Sequence, residues 1–225
     1  MPGGCAGSFR PVWANRSAIT RPFRWPPTCW IKNENMQKII TDSLLQAERA
    51  LHDFIADPRT LESMSRAVEI MKEALGGGSK IISCGNGGSL CDATHFAEEL
   101  TGRFRSDRRP LPAMAINDAA YMTCVGNDFS FEQIFARWVE AFGRPGDVLL
   151  AISTSGNSGN IVLAAEAARR CGMKIVVLTA DGPTRLAALA DAAILAPRTP
   201  HSDRIQEIHI KAIHIMIEAL EAELL

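Results

Sequence analysis

His95 and Glu99 stand four residues apart in a stretch of helical periodicity, which places an imidazole and a carboxylate on one face. Far downstream, Gln206 and His214 are eight residues apart in another helical stretch. That spacing is about 80° of rotation, so the two lie roughly on one stripe. His209 is turned about 140° away from His214 at the same pitch. If the two helices face each other, two imidazoles, a carboxylate and an amide converge. Such a set can hold a divalent transition metal such as zinc and still leave room for substrate oxygens. The same spacing also suits an ordinary hydrogen-bonded His/Glu pair, and glutamine is an uncommon ligand, so spacing alone leaves both readings open. Glu98, about 100° around the helix from Glu99, reads as solvated or structural.

Two turns carry a different chemistry. In Ser83-Cys-Gly-Asn-Gly-Gly-Ser89 a β-prone run breaks at Gly85 and opens at Ser89 into a helix. That order leaves free N–H groups at a helix start, where the helix dipole favours negative charge. It has neither the lysine of a Walker loop nor the Gly-x-Gly-x-x-Gly spacing of a dinucleotide site. It is either an anion cradle or a plain tight turn. The second turn, Ser153-Thr154-Ser155-Gly156-Asn157-Ser158, again leads from an apolar run into a helix. An N-cap explains one serine and Asn157, but not four hydroxyls in six residues. A phosphate ester held by hydroxyls and amides explains them better. Asp118 follows another apolar run and suits either sugar hydroxyls or a helix cap.

These residues need a scaffold, and the periodicity supplies one. Ile40, Leu44, Ala47, Leu51, Phe54 and Ile55 form the stripe of a first helix that ends at Asp57-Pro58. A second helix is expected from about Thr60 to Leu75, closed by three glycines. Apolar runs then recur at 80–84, 113–117, 148–153, 174–179 and 192–196. Helical stretches lie at 89–101, 131–142, 157–170 and near 185–190, with a long one over 202–225. Short buried runs alternating with helices predict a three-layer αβα sandwich on a parallel five-stranded sheet, preceded by two helices. Ligands in such sheets bind beyond the carboxyl ends of the strands, where both polar turns fall. The two leading helices have apolar faces too wide for one small sheet, which points to pairing with another subunit.

A net charge of −1 argues against broad nucleic-acid or membrane-surface binding, and no apolar run is long enough to span a bilayer. Six scattered cysteines without a Cys-x-x-Cys pair read as reduced thiols in a cytoplasmic protein. Residues 1–35 are basic, proline-rich and hold three of the four tryptophans, without a signal-peptide core. They are expected to be a disordered extension or translation from an upstream start, ahead of an interaction arm. Residues 36–225 are expected to form a single domain.

Several long motifs agree in order and spacing with one family. Ser83–Ser89, His95-Phe-Ala-Glu-Glu-Leu-Thr-Gly-Arg103, Val125-Gly-Asn-Asp128, Gly146–Ser158 and Asp203-Arg-Ile-Gln-Glu-Ile-His-Ile-Lys211 resemble the phosphoheptose isomerases of the sugar isomerase (SIS) superfamily. The resemblance runs from about Met36 to the C-terminus. It implies a SIS-type, flavodoxin-like fold and interconversion of sedoheptulose 7-phosphate and D-glycero-D-manno-heptose 7-phosphate, which begins ADP-heptose synthesis for lipopolysaccharide core. It also implies a homotetramer with sites at subunit contacts and one zinc per subunit. Carried over by position, zinc falls to His95, Glu99, Gln206 and His214. Phosphate contacts fall to Ser89, Ser153, Ser155 and Ser158, and further substrate contacts to Asn86, Gly87, Gly88, Asp118, Thr154 and Gln206.

Moving a carbonyl from C2 to C1 through an enediol(ate) needs a base, an acid and stabilisation of the developing oxyanion. Glu99 and His214 are the titratable pair that can share one site, so they are assigned as base and acid in either order. A carboxylate tightly bound to metal is a poor base. Either coordination loosens during turnover or one of the pair is mainly a ligand. Rival readings are a non-catalytic relative that binds the replication initiator, another sugar-phosphate isomerase and a metal hydrolase. Retention of both Glu99 and His214 favours the enzyme.

Overall fold

The structure is a computed structural model that describes residues 33–224. The expected N-terminal extension therefore lies, up to residue 32, outside the described residues. Helix α1 runs over Asn33–Ala56. From Asp42 onward the described residues form one compact unit. In that unit α2 (Pro58–Gly76) starts with proline in its first turn and with Asp57 as N-cap, its carboxylate accepting from Arg59 N–H. Asp57-Pro58 thus closes one helix and opens the next, because a proline lacking N–H costs nothing at a helix start.

Then come β1 (Ile81–Gly85), α3 (Gly88–Thr101), β2 (Ala113–Ala115), α4 (Ala119–Asp128) and α5 (Ile134–Phe142). After them follow β3 (Val148–Ile152), α6 (Gly159–Arg170), β4 (Lys174–Ala180), β5 (Ala192–Ala196) and α7 (Ser202–Leu224). The five strands are parallel, in the order β2-β1-β3-β4-β5.

Both faces of the sheet are covered, as the unbroken apolar runs require. Along β3, Val148, Leu150 and Ile152 enter one core with α2, α3 and α7. Leu149 and Ala151 enter the other with α5 and α6. All five are fully buried, so trimming Leu149 or Leu150 to alanine costs about 2–5 kcal/mol. The chain leaves β1 toward β2 on one side and builds β3 to β5 on the other. The crevice past the carboxyl ends of β1 and β3 is therefore the topological switch point of the sheet.

Several elements differ from expectation, and the short helix expected near 185–190 is a 3-10 turn over Ala187–Leu189. The stretch after Asp118 is the helix α4, which the sequence pattern left without an element. The stretch expected to be helical from Phe131 opens instead with a 3-10 turn over Phe131–Gln133 before α5 begins.

Candidate functional site

The site is built on two helices and two turns. α3 leaves β1 through Asn86, Gly87 and Gly88, a turn closed by Ser89 N–H donating to the Asn86 carbonyl at 3.0 Å. Glycine is required at one place here, and a second is packed against a side chain. A Cβ on Gly85 would run into the backbone of Ser89, and one on Gly88 would lie 2.6 Å from Nε2 of Gln206. The Gln206 amide thus rests against the glycine turn, which joins the start of α7 to the start of α3.

Further along the same helices the titratable residues meet. His95 Nε2 is 2.9 Å from His214 Nε2 and 3.4 Å from Glu99 Oε1. The donor atoms of His95, Glu99 and His214 all lie within 4.8 Å of one another. The two imidazoles meet edge to face, and the Phe104 ring lies against His214. Buried Arg108 fastens the framework. It donates to the Glu99 carbonyl at 2.7 Å and the Leu100 carbonyl at 2.9 Å, and pairs with Glu221 of α7 at 2.6 Å. The Leu100 carbonyl also accepts from Leu111 N–H at 2.9 Å, so the end of α3 is tied down from two sides, and Glu99 is fixed relative to α7.

The donor set fits a metal ion. Glu98 Oε2 lies 3.3 Å from His95 Nδ1, and His95 Nε2 faces His214 and Glu99. Two imidazole nitrogens and a carboxylate oxygen thus converge, a donor set that suits a cation such as zinc. The Gln206 amide lies against Gly88 at the head of α3.

The serine turn follows β3. Ser153 is buried, its Oγ 3.2 Å from Ser158 Oγ and 3.4 Å from Ser155 Oγ. Gly156 N–H donates to Ser153 Oγ, and Asn157 N–H donates to Ser155 Oγ. Ser158 is the N-cap of α6 but makes no side-chain cap bond, so its hydroxyl is not taken up by the helix. Three hydroxyls gathered on one turn suit a phosphate. Thr154 uses its carbonyl to accept from Ala180 N–H, and Ser89 is buried at the start of α3. Asp118 caps α4, its Oδ1 accepting from Tyr121 N–H at 2.6 Å. At least one of its oxygens therefore serves the fold.

The structure adds residues that sequence reasoning did not place at the site. Glu98 is beside His95, a contact that the i, i+3 spacing could have signalled. Asp92 precedes His95 by the same interval. Burial pushes its carboxyl up to about 6 against the opposing pull of His95, and its Oδ2 is buried without a partner. Asn160, in the first turn of α6, pairs with Asn86 across the crevice. His209 lies on the other side of α7 from His214, as its offset required, and is wholly buried. Burial drives its pKa down to about 4, while the Thr179 backbone pulls the other way without forming a bond of normal geometry.

Two hollows flank the cluster. One of about 500 Å³ is lined by Gly87, Cys91, Thr94, His95, Glu98 and Asn117. The other, of about 650 Å³ and largely apolar, is lined by Phe54, Ile55, Leu61, Met64, His214 and Ile215.

The chain is similar to proteins of one family. The SIS domain family matches residues 45–180 and again 140–224. The phosphoheptose isomerase of Tolumonas auensis is 51% identical over 188 residues, covering 84% of this chain and 98% of that protein. The solved phosphoheptose isomerase GmhA of Neisseria gonorrhoeae superposes with a TM-score of 0.78 at 37% identity, over 83% of this chain and 99% of that one. A phosphoheptose isomerase structure from Francisella tularensis gives the same TM-score at 32% identity, over 83% and 98% of the two chains.

Proposed function

The chain belongs to the SIS-domain family of phosphoheptose isomerases, and from that premise we propose that it interconverts sedoheptulose 7-phosphate and D-glycero-D-manno-heptose 7-phosphate, the entry to ADP-heptose for lipopolysaccharide core. The observation that carries this reading is the meeting of Glu99 and His214 from two distant helices, on the layer that also presents the glycine turn.

In this reading Ser153, Ser155 and Ser158, with Ser89, hold the phosphate through hydroxyls and backbone N–H groups. Asn86, Gly87, Gly88, Asp118, Thr154 and Gln206 line the sugar. One of Glu99 and His214 takes the C1 proton of the ketose, and the C1–H electron pair becomes the C1=C2 bond of the enediol while the C2 oxygen gains a proton. The other returns a proton to C2 as the O1 proton leaves and the aldehyde forms, so that the step balances with no external oxidant. His95, Glu99, Gln206 and His214 would hold one zinc per subunit, which supplies Lewis-acid polarisation of the substrate oxygens when bound. Glu98 orients His95 for that role.

The assembly proposed is a homotetramer with sites at subunit contacts. It is supported by Ile55, Leu61 and Ile215, which are half or more exposed around the apolar hollow that His214 also lines. The compartment proposed is the cytoplasm. Cys84, Cys91, Cys124 and Cys171 are all free thiols, and no described helix is long and apolar enough to cross a membrane.

Turnover of sedoheptulose 7-phosphate and of fructose 6-phosphate by the purified protein, followed by NMR, tests the substrate, and metal analysis tests the zinc. We expect the heptose phosphate to react at least a hundredfold faster, with about one zinc per subunit. Preference for the hexose phosphate would assign another isomerase. Failure to turn over either would favour the non-catalytic adaptor.

A further inference from the structure

β1 and β3 are paired in register as far as Gly85 and Ile152, and there the ladder stops. Beyond that point each strand enters one of the two polar turns, so nothing in the sheet itself sets the gap between them. Asn86 is the first residue past β1, and Asn160 is the second residue of α6, just after Ser158. Asn86 Nδ2 donates to Asn160 Oδ1 at 2.9 Å, and Asn160 Nδ2 donates back to Asn86 Oδ1 at 2.9 Å. Asn160 Oδ1 also accepts from Ile161 N–H at 3.0 Å, which fixes its rotamer on the helix. Asn160 is only 3% exposed, so water hardly competes for this closed pair.

We propose that Asn160 is a positioning residue of the phosphate site: with Asn86 it forms a two-bond amide clasp across the switch point that sets the distance between the glycine turn and the serine turn. The Asn86 carbonyl closes the glycine turn onto Ser89, and Asn160 lies two residues from Ser158. A shift of either amide therefore moves phosphate-facing groups on both sides at once. The clasp acts on substrate binding and not on the proton transfer, because His95, Glu99 and His214 are held separately, by Arg108 and by the packing of α3 on α7. It also gives Asn86 a role beyond that of a simple substrate contact. The inference rests on the isomerase reading above for its substrate, but not for its phosphate.

The test is a double-mutant cycle of Asn86→Ala, Asn160→Ala and the pair, read by KM and kcat for sedoheptulose 7-phosphate. Alongside it, calorimetric binding of inorganic phosphate and zinc content are measured. Asn160→Ala should raise KM and the phosphate Kd about tenfold while leaving kcat within about threefold and zinc unchanged. The double variant should be no more than about twofold worse than the poorer single one. Independent effects that multiply in the double variant would overturn the clasp, as would an Asn160→Ala protein whose phosphate affinity stays within twofold of wild type. If Asn160→Ala does not fold, Asn160→Gln decides. It keeps an uncharged amide but moves it out by one methylene, so a normal phosphate Kd contradicts the proposal and a weakened one supports it. Absence of turnover in the wild type would instead count against the isomerase reading, since phosphate binding is measured without catalysis.

Discussion

The two ends of the same strands are built on opposite rules. At the amino edge of β1 and β3 the buried carboxylate of Asp147 has every partner it needs. It accepts from Lys80 N–H at 3.0 Å, Lys80 Nζ at 2.5 Å and Arg144 N–H at 2.9 Å. At the carboxyl edge, hydroxyls cluster on a turn with few protein donors to meet them. On the adjoining α3–α7 layer, three Lewis-basic atoms crowd within 4.8 Å of one another. Satisfied charge stabilises a fold, whereas polar groups held together and left wanting mark a place made for a ligand. The contrast separates what this protein needs in order to fold from what it needs in order to work.

Substitutions can break that contrast. The largest effect should come from replacing Ser155 and Ser158 together with alanine. Two hydrogen bonds to a charged phosphate are worth roughly 4 kcal/mol, so kcat/KM for the sugar phosphate should fall about a thousandfold while the melting temperature hardly moves. Asp147→Ala should do the reverse. Removing one partner of a buried pair costs about 3 kcal/mol in denaturant unfolding, with kcat per folded molecule unchanged. A comparable loss of activity on Asp147→Ala would erase the distinction.

A third measurement concerns His209, buried neutral between α7 and the sheet. Its folded pKa of about 4 lies below the ordinary 6.5, so the unfolded chain binds the extra proton first. Its contribution is fully present above pH 6.5 and is lost as pH falls toward 4. Between pH 6.5 and 5 this amounts to about 2 kcal/mol. Unfolding of His209→Phe should therefore show a flatter acid limb than wild type over that window. The smallest effect should come from Glu98→Gln, which removes the carboxylate beside His95 Nδ1. Zinc affinity by competition titration should drop about tenfold, with little change in the sugar phosphate KM.

Much of this arrangement is legible in the residues themselves. β5 and α7 begin where the apolar periodicity begins, and the i, i+4 rule alone puts His95 and Glu99 on one face. Helix α4 was not legible, because Gly126, Asn127 and a weak apolar stripe give it little helical signature and the Asp118 cap supplies what the interior lacks. β2 ends at Ala115, two residues short of expectation. Ile116 N–H still donates to the Ser83 carbonyl, but the chain then turns into the cap of α4. The Asn86–Asn160 pair joins residues 74 positions apart, a relation that no local pattern encodes. Spacing within one helix carries over into structure, while the meeting of α3 with α7 depends on the packing of the whole layer.

The most direct test of the account is solvent exchange. In deuterium oxide the wild-type protein should place deuterium on the aldose product at C2, and exchange at C1 of the recovered ketose should accompany turnover. Glu99→Gln and His214→Ala should lose both signals by about a thousandfold while keeping phosphate affinity. Exchange at near wild-type rates in both variants would contradict the assignment of proton transfer to the α3–α7 pair.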